Sequence, residues 1–168
     1  MMNIQVFMLK QDDPKKCTAA KLVKFGLARG VSKTQSNTII LDPFAPKTIL
    51  KQDAAIAKSI TGIDCSWNLA ETAFTRKFQG IPRKLPPLLA GNPVNYSKLN
   101  KLTTVEAIAG AAFILGYEQI AMSMLDKFNW GHTFYELNAD LLKDYSKIKS
   151  EREIDLLLAE YGLINKKY

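Results

Sequence analysis

Three short polar clusters in this sequence hold residue types that could do chemistry: Asp13-Pro14-Lys15-Lys16-Cys17-Thr18, then Asp64-Cys65-Ser66-Trp67-Asn68, then Asn92-Pro93-Val94-Asn95-Tyr96 running on to Leu102-Thr103-Thr104-Val105-Glu106. Thr18 and Thr104 each open an expected helix, where unpaired backbone amides and the positive end of the dipole favour a carboxylate. The plainer reading of either threonine is an N-cap. Asp64 stands at an expected strand end and is the candidate catalytic residue, able to accept a proton from a nucleophile; alone it could equally cap a helix. Trp67 and Ala70, three apart on one helix, share a face and set a large ring beside a methyl in a narrow apolar slot. The ordinary place of such a tryptophan is the core.

The single histidine, His132, sits in WGHTF away from these clusters. That excludes a multi-histidine metal centre and disfavours a serine or cysteine triad, so His132 is read as structural and no metal is expected. Neither GxGxxG nor GxxxxGK[ST] occurs, which leaves a dinucleotide site and a P-loop without support.

Basic residues crowd the first cluster. Lys15, Lys16, Lys21, Lys24 and Arg29 fall on the first loop and helix, and Arg83 and Lys84 precede the last expected strand. Lys21 and Lys24 share a helical face, the kind of stripe that neutralises nucleic-acid phosphates. The chain of 168 residues has a formal charge of +7 and a pI near 9.4. Positions 1–90 hold 14 Lys and Arg against 6 Asp and Glu, a net of +8, whereas positions 91–168 hold 9 against 10, a net of −1. The basic surface belongs to the first half, as expected of a polyanion binder or of an ordinary solvated basic domain.

The elements that would position these clusters alternate. Met2–Leu9 reads as a strand covered on both faces, and Thr18–Ala28 as a helix ended by Gly30. Thr38–Leu41 is a second strand, Gln52–Lys58 a short helix, Ser59–Asp64 (SITGID) the next short strand, and Trp67–Lys77 another helix. Arg83–Tyr96 reads as a last short strand with an exit loop. Helices follow from Val105, capped by Thr103 with Glu106 in the capping-box relation, and at about Glu118–Lys127, Thr133–Tyr145 and Glu151–Tyr161. The expected fold class is α/β: an N-terminal, basic, mainly parallel α/β sheet domain over 1–92 and an all-helical C-terminal domain over 93–168. The cofactor crevice would lie between them, at the carboxyl ends of the strands. Cys17 and Cys65 stand 48 positions apart, which builds neither a disulfide framework nor a paired cysteine metal site and suggests a reducing, cytoplasmic location. The N-terminus lacks the features of a signal peptide or membrane span.

Together DPKKCT (13–18), IILDP (39–43), IDCSWN (63–68), RKLPPLLAGNPVNY (83–96) and KLTTVEA (101–107) resemble the small-subunit ribosomal RNA aminocarboxypropyltransferases, in that family's order and spacing, from residue 3 to about 145. The length is similar to that of archaeal members. The resemblance implies S-adenosylmethionine as donor, small-subunit ribosomal RNA or a pre-ribosomal particle as partner, and a deep trefoil knot. It also implies that Leu85 and Asn100 offer backbone groups to the adenine, that Leu41, Pro43 and Ala70 pack on its faces with Leu102 and Ala107 among the contacts, and that the Ile63 carbonyl holds the ribose. Thr18 and Thr104 would anchor the methionine carboxylate, and Trp67 and Ala70 would enclose the methyl.

Orientation decides which of three sulfonium carbons reacts, because alignment alone is worth about 7–11 kcal/mol. Burying the methyl would leave the aminocarboxypropyl Cγ open to N3 of a uridine, pseudouridine or modified form, releasing 5′-methylthioadenosine. Asp64 would take up the N3 proton or favour the sulfonium. Two departures stand out: Asn100 replaces a common aromatic residue, and Ser97 replaces a common glycine, so the loop is expected to manage without positive φ there. The alternatives are an S-adenosylmethionine-dependent RNA methyltransferase on the same scaffold and a non-enzymatic ribosome-assembly protein that binds RNA.

Overall fold

The computed structural model describes residues 1–9, 17–64 and 77–163; Lys15, Lys16, Cys65, Trp67, Ala70 and the body of the helix expected from Trp67 lie outside them. Five parallel strands form one sheet: β1 (Asn3–Met8), β2 (Arg29–Gly30), β3 (Thr38–Leu41), β4 (Ser59–Asp64) and β5 (Ile81–Arg83), in the order β2-β1-β4-β3-β5. All six residues of β4 are buried, as a central parallel strand requires. Across its middle, Thr61 Oγ1 lies 2.7 Å from Thr38 Oγ1 and donates to Gln5 Oε1 at 3.2 Å. This polar rung joins β3, β4 and β1, and a slip in register would leave it unpaired.

Helix α1 (Thr18–Lys24) is shorter than expected. Gly26, at φ 72°, turns the chain out of the helix, so it is Gly26 and not Gly30 that stops the run, and Gly30 instead pairs with Val6 in β2. A two-residue strand has too few positions to show a period. The expected helix at Gln52–Lys58 is a 3₁₀ turn over Lys51–Ala55. Asp53 anchors it: Oδ2 accepts from Leu50 N at 2.9 Å and from Arg83 Nε at 3.2 Å. The last strand ends at Arg83, where the sequence reading has it begin.

After residue 103 the described chain is helical: α2 (Thr104–Ile114), α3 (Glu118–Leu125), α4 (Gly131–Tyr145) and α5 (Arg152–Glu160). Helix α2 is buried almost all round because it lies between the sheet and the other helices. Gly62 permits this: a Cβ there would stand 2.9 Å from Ile108 Cδ1 and 3.1 Å from Thr104 Cγ2, so glycine lets the start of α2 press onto β4. One apolar core draws on both halves of the chain, from Ile4 in β1 through Ile60 and Ile108 to Leu158 in α5.

Between β5 and α2 the backbone is pinned by two residues of α4 seven apart, hence on one face. Asn138 Oδ1 accepts from Leu89 N and its Nδ2 donates to Leu89 O, both at 2.8 Å, while Tyr145 Oη donates to Pro87 O at 2.6 Å. Burial pushes the Tyr145 phenol well above its ordinary range, so it remains a donor to Pro87. In the same segment Ser97 adopts φ 66°, which corrects the expectation of a loop without positive φ at this position. A side chain there costs roughly 1–2 kcal/mol in the left-handed region, partly offset by the extra freedom glycine gains when unfolded. Ser97→Gly is therefore expected to stabilise the protein by about 0.5–1 kcal/mol, read as a higher urea midpoint at unchanged slope.

Candidate active site

Strand β3 pairs with β4 only as far as Leu41 opposite Gly62, while β1 continues beside β4 to Met8 opposite Asp64. Beyond Leu41 the chain leaves the sheet, and Asp42 N donates to Arg83 O at 2.9 Å. That departure bares the β3-side edge of β4 at Ile63 and Asp64 and opens a cavity of about 820 Å³ at the carboxyl ends of the strands. The position is the one where open α/β sheets hold their ligands.

Of the expected cofactor contacts, Thr18, Leu41, Pro43, Ile63, Leu85, Asn100, Leu102, Thr104 and Ala107 all line this cavity, together with Asp64. Trp67 and Ala70 lie outside the described residues. Asn100 N–H donates to Leu88 O at 3.0 Å, so its carbonyl is the group left for a ligand, and φ 62° turns the peptide there. Among the described residues neither backbone group of Leu85 has a protein partner.

Neither candidate threonine is an N-cap. Thr18 and Thr104 are the first residues inside α1 and α2, and the caps are Cys17 and Thr103. Their hydroxyls instead lace the two helix starts and β4 together. Thr18 Oγ1 accepts from Val105 N at 3.3 Å, and Thr104 Oγ1 donates to Asp64 Oδ1 at 3.0 Å. Asp64 Oδ2 accepts from Cys17 Sγ at 2.9 Å, and the same sulfur accepts from Ala20 N at 3.4 Å. Two helix N-termini thus meet at one buried carboxylate.

Burial, reinforced by the hydrogen bond to Asp64, pushes the Cys17 thiol from its ordinary 9.0 up to about 11. The raised value keeps the sulfur protonated and donating. In a Cys65→Ser background, alkylation of Cys17 by iodoacetamide at pH 8 is expected to run about 100-fold slower than that of an unperturbed thiol. Because the unfolded thiol ionises first, its contribution to stability is complete below pH 9 and declines as pH rises toward 11.

Glu106, expected only as half of a capping box, does more. Fully buried, it accepts at Oε1 from Thr103 N (2.9 Å), Thr103 Oγ1 (3.0 Å) and Asn92 Nδ2 (2.7 Å), and at Oε2 from Gly91 N (2.7 Å). It ties the start of α2 to the loop that forms the cavity's far wall. A further wall comes from α5 and the residue before it: Glu151, Ile154, Asp155 and Leu158 line the cavity, and Glu151 Oε1 accepts from Thr48 N.

The basic stripe is only partly assembled. Lys21, Lys24 and Arg29 are exposed, although Lys21 Nζ lies 5.8 Å from the Phe128 ring centroid. Lys84 lines the cavity. Arg83 stands apart from the expected stripe: its guanidinium turns to Asp53, at 3.2 and 3.3 Å, and to Pro82 O, so it braces β5. His132 is exposed on α4 and its Nε2 lies 3.5 Å from Asp126 Oδ1.

The profile of the family described as "Ribosome biogenesis protein, C-terminal" matches residues 39–162. A second profile, a possible Fer4-like domain in RNase L inhibitor, matches residues 2–35. That stretch contains one cysteine, Cys17, donated to Asp64, so it cannot supply the four thiolates of an iron–sulfur cluster. The chain is 43% identical over 164 residues to the 16S rRNA aminocarboxypropyltransferase of Methanococcoides burtonii, covering 95% of this chain and 94% of the relative. It is 40% identical to that of Sulfurisphaera tokodaii, covering 91% of each. The solved structure of the SAM-dependent rRNA:acp-transferase from Vulcanisaeta distributa superposes with a TM-score of 0.85 at 37% identity, over 96% of this chain and 94% of that one.

Proposed function

We propose, from the premise that this chain belongs to the 16S rRNA aminocarboxypropyltransferase family, that it binds S-adenosylmethionine in the cleft beside β4 and transfers the 3-amino-3-carboxypropyl group to N3 of a uridine or pseudouridine in small-subunit ribosomal RNA. The observation that carries this reading is the convergence of α1 and α2 on Asp64 inside a cavity walled by Leu41, Pro43, Leu102 and Ala107. A ligand with an apolar-faced purine at one end and a cation and carboxylate at the other fits such a site. S-adenosylmethionine supplies a sulfonium whose Cγ is electrophilic, and attack by N3 breaks the S–Cγ bond to release 5′-methylthioadenosine.

The chain's own residues divide the work. Leu41 and Pro43 cover the purine faces, and the Leu85 backbone and Asn100 carbonyl meet its polar edge. The Ile63 carbonyl takes the ribose. Thr18, whose oxygen already accepts from Val105 N, keeps its O–H for the carboxylate, and Thr104 adds a first-turn N–H. Trp67 and Ala70 enclose the methyl. Lys15, Lys16, Lys21, Lys24, Arg29 and Lys84 neutralise phosphates near the opening.

The finer architecture belongs to the same proposal: a sheet domain over 1–92, a helical domain over 93–168, and a deep trefoil knot. Support for the knot is the family resemblance and the way residues 84–89 are held on one side by Lys47 O and Ile49 N and on the other by Asn138 and Tyr145. A cytoplasmic location and a pre-ribosomal partner follow from the substrate.

Mass analysis of small-subunit RNA, with and without the gene, tests the reaction. A gain of the aminocarboxypropyl mass is expected; a methyl gain would establish the methyltransferase instead. By calorimetry, Trp67→Ala is expected to weaken S-adenosylmethionine binding at least tenfold and His132→Ala less than twofold. Equal effects would remove the assignment of the slot.

A further inference from the structure

The loop between β5 and α2 is held in a conformation its residues do not favour. Ser97 and Asn100 both sit at positive φ, 66° and 62°, and such backbone persists only where its surroundings over-determine it. Here they do. Ser97 N donates to Ala90 O at 2.7 Å, Ala90 N to Lys98 O at 2.9 Å and Asn95 N to Asn92 Oδ1 at 3.0 Å, while Asn92 is fixed in turn by buried Glu106. A loop so firmly built holds Val94 85% exposed and Tyr96 57% exposed. Val94 and Asn95 line the mouth of the cavity.

A second turn contributes to the same rim. Phe44 N donates to Asp42 Oδ1 at 2.8 Å, and Phe44, 58% exposed, stands between the cavity-lining residues Pro43 and Pro46. Lys47 and Lys98 are exposed on these two turns. The nearby acids Asp42 and Glu151 are turned to the backbone N–H groups of Phe44 and Thr48, which lowers the Glu151 carboxyl below its ordinary range. Aromatic and apolar faces interleaved with lysines are what a single-stranded nucleic acid recognises.

We infer that this rim seats the acceptor nucleotide: an unpaired RNA base stacks on Tyr96 and Val94 with Phe44 at the other turn, while Lys98 and Lys47 neutralise the flanking phosphates. The inference rests on the proposed function and deepens it. Uracil N3 lies on the pairing edge of the base, so no base within a duplex can present it. The acceptor must leave its stack, and its bared faces then need apolar cover at the cavity mouth. The rim supplies that cover without hydrogen bonds to the pairing edge, which leaves N3 directed at the donor.

The test uses the full chain, small ribosomal subunits from cells lacking the gene, and a fluorescently labelled 12-nucleotide oligouridylate. Tyr96→Ala is expected to weaken oligouridylate binding about tenfold with an unchanged salt slope. It should raise KM for subunits comparably and leave S-adenosylmethionine affinity within twofold. Tyr96→Phe should keep wild-type values, and Lys98→Gln should reduce the salt slope by about one. Wild-type behaviour of both Tyr96→Ala and Val94→Ser overturns the inference. So does a loss confined to whole subunits with oligouridylate binding intact, which would make the rim a protein-docking surface. Production of methylated RNA, or of no product, by the wild type sinks the proposed function itself, whatever the variants do.

Discussion

Replacing Glu106 with alanine is expected to cost about 3–5 kcal/mol of stability, the range for breaking a buried charged network by removing one partner. Four donors converge on this side chain, two from Thr103, one from Asn92 and one from Gly91. The carboxylate has no exposure, so its removal leaves these donors without the partner they converge on. Glu106→Gln should cost about 2 kcal/mol, because one amide face brings an N–H against an existing donor. Urea unfolding measures both, and the order Ala worse than Gln worse than wild type is the expected result. The same variants should weaken S-adenosylmethionine binding, since Asn92 anchors the loop that carries Asn100 and Lys101 along the cavity wall. Unchanged donor affinity in a destabilised Glu106→Gln would separate the loop from the site and overturn this account.

Local signals were legible where they are local in physical origin. The capping box Thr103–Glu106 is a three-residue relation, and the structure has both halves of it. Strand Thr38–Leu41 was readable as an apolar run because a parallel strand buries both faces, and Ser59–Asp64 from its place in the alternation of strand and helix. What was not legible depends on chain brought from far away. Cys17 donates to a carboxylate 47 positions on, Asn138 clamps Leu89 across 49, and Glu151 meets Thr48 across 103. No periodicity encodes such pairs, which is why the bonds from Cys17 and Thr104 to Asp64 and the α5 wall were absent from the expected site. Arg83 misled for a related reason: a run of basic residues reads as a solvated stripe until a buried acid, Asp53, claims one of them. Ser97 shows the converse limit, since a surrounding hydrogen-bond frame can hold a non-glycine residue at positive φ.

Asp64→Asn is expected to weaken S-adenosylmethionine binding roughly 30-fold, about 2 kcal/mol, while lowering kcat at saturating donor by less than tenfold. The figure corresponds to losing one partly buried attraction between unit charges several ångströms apart at an effective dielectric near 20, discounted for residual solvent. The split between the two parameters follows from where charge moves. A sulfonium loses its positive charge as the S–Cγ bond breaks, so a counter-ion stabilises the bound donor at least as well as the transition state and acts on affinity. A general base would act on the proton leaving N3 and so on kcat, by about 10²–10⁴. The geometry favours the counter-ion, because Cys17 Sγ and Thr104 Oγ1 each donate to one carboxylate oxygen. Two such donors fix the orientation of the carboxylate and occupy one lone pair on each oxygen. Cys17→Ala, which removes one donor and keeps the charge, should therefore raise the donor Kd by no more than about fivefold. Loss of kcat with donor affinity intact in Asp64→Asn would assign the proton of N3 to Asp64 instead.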